Sequence, residues 1–93
     1  NYIEMRDRVD DPDFLLQRQL ERVLAERHPG VFVPRYSMVS FMRVPYATAL
    51  ERGRIQRALL AESTAGCRSL DEIDLAAADA RVLARLTPLR DDV

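Results

Sequence analysis

Proline and glycine punctuate this chain at intervals that leave no room for a helix much longer than ~20 residues. Breaks fall at Asp11-Pro12, Gly30, Pro34, Pro45, Gly66 and Thr87-Pro88. Proline removes a backbone donor and clashes with the preceding turn, while glycine ends a helix at little steric cost, so the pieces between must be short and packed on one another.

The pieces differ in their apolar period. Residues 1–10 carry Tyr2, Met5 and Val9 at helical spacing and read as the end of a longer helix that something preceded. Asp11 is a good N-cap and Pro12 suits the first helical position, which predicts a helix over 11–28. Its stripe is Leu16, Leu20, Val23 and Leu24, with Gln17, Glu21, Arg22 and Glu26 elsewhere on the cylinder. Residues 31–44 have no such stripe. Val33, Val39 and Phe41 fall on one side of an extended chain and Tyr36, Met38 and Ser40 on the other, with Pro34 interrupting any long strand.

Pro45 then opens a helix over 45–65. Gly53 inside it costs ~1 kcal/mol relative to Ala, which implies either a kink or the close approach of another backbone. Ser69-Leu70-Asp71-Glu72 matches a capping box, so a further helix is expected over 69–87. The fold class is mainly α: a small bundle of about four helices with one extended segment.

Charge argues against a nucleic-acid surface. The 14 basic and 15 acidic residues nearly cancel, and Arg6, Arg8, Arg18, Arg22 and Arg27 alternate with Glu4, Asp7, Asp10, Glu21 and Glu26 as on solvated helix faces. Cys67 is the only cysteine and His28 the only histidine, far apart in sequence, so neither an internal disulfide nor a metal-ligand spacing is available. A reducing compartment, the cytoplasm, is expected. No apolar run approaches the ~18 residues that cross a bilayer. Gly30, Gly53 and Gly66 are too dispersed for a dinucleotide fingerprint or a phosphate-binding loop. Neighbouring carboxylates such as Glu4 and Asp7, or Asp71 and Glu72, have helical or capping explanations, and no catalytic residue is assigned.

Two clusters carry more than fold. Asn1-Tyr2-Ile3-Glu4-Met5-Arg6 and Pro34-Arg35-Tyr36-Ser37-Met38-Val39-Ser40-Phe41 each set a hydrogen-bonding side chain (Asn1, Tyr36) beside soft apolar ones (Met5, Met38, Phe41). That mixture suits a small amphipathic ligand held by its polar end. Asn1 and Met5, four apart on a helix, can face one ligand. On spacing alone, Met5 and Met38 serve equally well as core filler.

The pattern N-Y-x-E-M-R, then P-x-Y-S-M-V-x-F, then Pro45-Tyr46 and Gln56, resembles the C-terminal region of the kynurenine 3-monooxygenase family of FAD-dependent aromatic hydroxylases. The resemblance covers residues 1 to about 60, and it implies a C-terminal fragment of a larger enzyme that uses FAD, NADPH and dioxygen to convert L-kynurenine to 3-hydroxykynurenine. It further implies that Asn1 and Tyr36 hold the substrate carboxylate together with an Arg and a Tyr from elsewhere in the enzyme, and that Met5 lines the pocket. The partner would be the FAD-binding part of the same chain. Without it the fragment would be inactive, bind no cofactor, and tend to self-associate through Met5, Tyr36, Met38 and Phe41. The absence of a membrane-anchoring segment in this sequence points to a soluble, bacterial-type member. A related hydroxylase for another aromatic acid and a free-standing helical interaction module are the alternative readings.

Overall fold

The computed structural model describes residues 12–34 and 46–89. Among them lie three α-helices, α1 (Pro12–Arg27), α2 (Tyr46–Thr64) and α3 (Leu75–Arg85), with 3₁₀ turns at Leu70–Glu72 and Thr87–Leu89. The mainly α character expected from the sequence is borne out. The expected helix over 1–10, and all of the extended segment beyond Pro34, lie outside the described residues.

Leu16, Leu20 and Leu24 of α1 are buried at a spacing of four, so one narrow stripe faces inward. They meet Leu59 and Leu60 of α2, and Ala78 and Val82 of α3 with Leu86 just beyond it, in one continuous core. Val23, expected in the stripe, is only half-buried, whereas Phe14 is buried. The helix ends where the sequence says it must. Pro29 has no amide to continue the ladder and Gly30 turns left-handed at φ +78°. The amides of Val31 and Phe32 then return to the His28 carbonyl at 3.1 and 2.9 Å, a tight turn that swings Phe32 into the core.

Gly53 does not break α2, and no neighbouring backbone among the described residues approaches it. The helix runs through it, and a Cβ there would meet only the Arg57 guanidinium, at 3.5 Å, among the described residues. Gly66, at φ +77°, ends the connection after α2, with the Cys67 amide bonded to the Thr64 carbonyl at 3.0 Å.

The last helix departs from expectation at its start. Ser69 opens only the 3₁₀ turn and makes no side-chain cap bond. Glu72 reaches back instead to the Arg68 amide at 2.8 Å. Helix α3 begins at Leu75, capped by Asp74, whose Oδ1 accepts from the Ala77 amide at 3.0 Å. The reason is packing. The inward stripe Ala78, Val82, Leu86, extended backwards along an unbroken helix, would bring Asp71 to the core face and put Ile73 on the opposite one. Breaking the helix after Glu72 lets Ile73 be buried and turns Asp74 into the cap.

Polar contacts tie the helices together around this core. Arg85 of α3 makes a two-pronged bond to Glu62 of α2, at 2.8 and 2.9 Å, and Arg81 bonds the Ser63 hydroxyl at 3.0 Å. At the other end, Asp79 of α3 accepts from Arg27 through both carboxylate oxygens, and His28 Nε2 lies 2.7 Å from its Oδ1. Hydrogen bonding from Arg27 above all, reinforced by His28, holds the Asp79 carboxyl at about 2 against an ordinary 3.8. A carboxylate whose folded value is depressed contributes stability above its unfolded value and loses it as pH falls through the folded one. Asp79→Asn should therefore cost about 1–2 kcal/mol near neutrality, less than a fully buried pair because Arg27 is half exposed. The gap between wild type and variant should close between about pH 4 and pH 2, as read from urea unfolding across that window. A gap that stayed constant to pH 2 would show that Asp79 acts through packing alone.

Candidate functional site

Helix α2 has an unusual inner face. The apolar positions Leu59 and Leu60 continue towards the helix N-terminus as Gln56 and Arg52, and both are buried. Burying a polar side chain is unfavourable unless its hydrogen-bonding groups are met. Both grip main chain. The Val33 amide donates to Gln56 Oε1 at 2.9 Å, and Gln56 Nε2 donates to the Val33 carbonyl at 2.8 Å. One carboxamide thus answers both backbone groups of one residue, as a neighbouring strand would. One turn away, Arg52 Nη2 donates to the Leu89 carbonyl at 3.0 Å and holds the turn that follows α3.

The Val33 clamp stands at the mouth of the segment that sequence analysis singled out. Phe32, immediately before it, is seated in the core, and Pro34, immediately after it, is exposed. From Pro34 the chain proceeds through residues 35–45 and re-enters the described structure at Tyr46. Tyr46 and Gln56 lie on one helix, ten residues apart, so the segment leaves and returns at points separated by ~15 Å along α2.

Asn1, Met5 and Tyr36, the expected substrate-binding residues, lie outside the described residues, as do Met38 and Phe41. What the fold supplies is the anchor from which the Tyr36 segment departs. Sequence reasoning had Gln56 as part of the resemblance but not its role, and it missed the burial of Arg52. The spacing held only part of the signal. Stepping back from Leu59 and Leu60 by helical turns reaches Gln56 and Arg52, which places them on the same side of α2 as those leucines, but their burial depends on Val33 and Leu89 arriving to meet them.

Among the described residues, no group of three His, Cys, Asp or Glu side chains is placed to hold a metal ion. No helix among them is long and apolar enough to cross a membrane. Gly30 and Gly66 are committed to left-handed turns and Gly53 to a helix interior, so the glycines build no cradle for a dinucleotide.

No protein-family profile matches the chain. In direct comparison it is similar to enzymes of the monooxygenase class. These relatives are kynurenine 3-monooxygenases: that of Xanthomonas euvesicatoria pv. vesicatoria (strain 85-10) is 61% identical over 89 residues. Those of Xanthomonas axonopodis pv. citri (strain 306) and Stenotrophomonas maltophilia (strain K279a) are 57% and 55% identical over the same length. Each match takes in 96% of this chain and 20% of the relative. The chain spans about one fifth of the length of the relatives it matches, and the resemblance drawn from the Asn1 and Tyr36 clusters is borne out.

Proposed function

We propose that this chain is the C-terminal, substrate-pocket part of a kynurenine 3-monooxygenase, the enzyme that hydroxylates L-kynurenine to 3-hydroxykynurenine. The observation that carries the reading is the 61% identity to a protein of that name across nearly the whole chain. Asn1 and Tyr36 hold the substrate's carboxylate by hydrogen bonds, and Met5 packs against its apolar body. These three are the residues of this chain that touch substrate.

FAD and NADPH are held by the remaining four fifths of the protein, since the three glycines of this chain are too dispersed for a phosphate-binding fingerprint. When bound there, the flavin takes electrons from NADPH and, with dioxygen, supplies the oxygen atom added to the ring. The chain described here binds and orients the substrate and closes the pocket against water. Its partner is the FAD-binding part of the same polypeptide, and its place is the cytoplasm, where the single half-buried Cys67 stays reduced.

The test is turnover by the intact protein. NADPH oxidation should be stimulated by L-kynurenine and yield 3-hydroxykynurenine, whereas 4-hydroxybenzoate should give no hydroxylated product. Stoichiometric product from another aromatic acid, with none from kynurenine, would transfer the assignment to a related hydroxylase.

A further inference from the structure

Helix α3 is apolar on two sides. Its inner face, Ala78 and Val82, runs on into the buried Leu86 and belongs to the core already described. By helical spacing, Ala76, Ala80, Leu83 and Ala84 fall together on a second face turned well away from the first, and all four are exposed. Leu83, at 58%, is the most exposed large apolar side chain among the described residues. No charge lies within this face. Asp79 stands at its edge, turned to Arg27 and His28, while Arg81 and Arg85 reach α2, bonded to Ser63 and Glu62. The outer faces of the other helices are built differently, with Arg22 and Glu26 exposed on α1 and Glu51, Arg54 and Arg57 on α2. A helix that is apolar on two sides is one that packs on both.

The size of the face decides what covers it. A helix of 11 residues is ~16 Å long and ~10 Å across, so the face offers on the order of 200 Å². Each partner in a stable interface between separate molecules gives about 800 Å², and this face alone would not hold a second copy of the chain. A surface tethered to the same chain needs far less area, because connectivity sets a high effective concentration. The relatives carry four fifths of their length outside the region matched here.

We infer that the face formed by Ala76, Ala80, Leu83 and Ala84 is where α3 docks on the remainder of the same polypeptide, outside these 93 residues, against an apolar and uncharged surface. The three alanines let another element approach closely, and Leu83 supplies the one large side chain to be seated. The inference rests on the reading that the partner of this chain is the rest of its own polypeptide, and not on which aromatic acid is hydroxylated. It gives α3 the task of holding the helical part on the enzyme.

The experiment uses the intact, unsubstituted protein. Hydroxyl-radical oxidation rates of its leucines are measured in the folded state and divided by the rates in urea. Leu83 should fall to the ratio shown by Leu86, which is fully buried. A ratio close to the 58% exposure it has in this chain would show the face open and overturn the inference. Protection that lapses on dilution to the monomer would assign the face to a second copy and overturn it as well.

A diazirine analogue incorporated in place of leucine then identifies the cover. Trypsin cuts after Arg81 and Arg85, so Leu83 is the only leucine of the peptide 82–85. Its cross-links should be intramolecular and should reach peptides outside these 93 residues. Links confined to this chain, or made only to a second molecule, would overturn the inference. A protein in which Leu83 is protected and linked as expected, but which does not hydroxylate kynurenine, would strike the substrate reading alone and leave the docking face standing.

Discussion

On the proposed role of Tyr36 as a ligand of the substrate carboxylate, Tyr36→Phe in the intact protein is expected to raise the KM for L-kynurenine roughly 10- to 100-fold, since a hydrogen bond to a charged carboxylate contributes ~1.5–3 kcal/mol. Asn1→Ala should act in the same direction. Because the carboxylate is remote from the ring carbon that is hydroxylated, the loss should appear mainly in KM and kcat/KM, with kcat less affected. Steady-state kinetics on the two single variants and the double variant would settle it. Wild-type constants in both singles would remove Asn1 and Tyr36 from the pocket.

The second large effect concerns the core. Leu24→Ala should destabilise the fold by about 2–5 kcal/mol, because Leu24 is fully buried where α1 meets the other helices and the cavity left behind collapses only in part. Leu15→Ala, next to Leu16 in sequence but outside the core stripe and 44% exposed, should cost about 0.5 kcal/mol or less. Urea midpoints of the two variants would check the contrast. Near-equal midpoints would mean that the stripe Leu16, Leu20, Leu24 does not hold α1 in place.

How much of this was legible in the sequence follows from the range over which each signal acts. The ends of α1 were readable because Pro12 and Gly30 act on their own backbone and the next turn. The Leu16, Leu20, Leu24 stripe was readable because a period of four is local too. Gly53 was less readable, since local propensity records the cost of a glycine in a helix and not whether the helix runs through it. The resemblance of the Asn1 and Tyr36 clusters was legible as a pattern of residues, but those side chains stand outside the described residues.

The amino-acid sequence by itself determined that this chain would be short helices separated by proline and glycine, with one apolar stripe on α1 and a kinship to kynurenine 3-monooxygenases. Only the tertiary structure decided which of two caps starts α3, which face of α2 turns inward, and which cation Asp79 meets. Ser69 and Asp74 are both competent caps. The choice between them depends on whether Ile73 or Asp71 enters the core, a question of contact with distant residues. Gln56 and Arg52 are ordinary helix-surface residues until Val33 and Leu89 are brought to them across 23 and 37 positions of chain. Arg27 and Asp79 meet across 52 positions. Periodicity and capping are written into neighbours one turn apart, whereas the burial of a polar side chain is decided by whichever remote backbone or charge arrives to satisfy it.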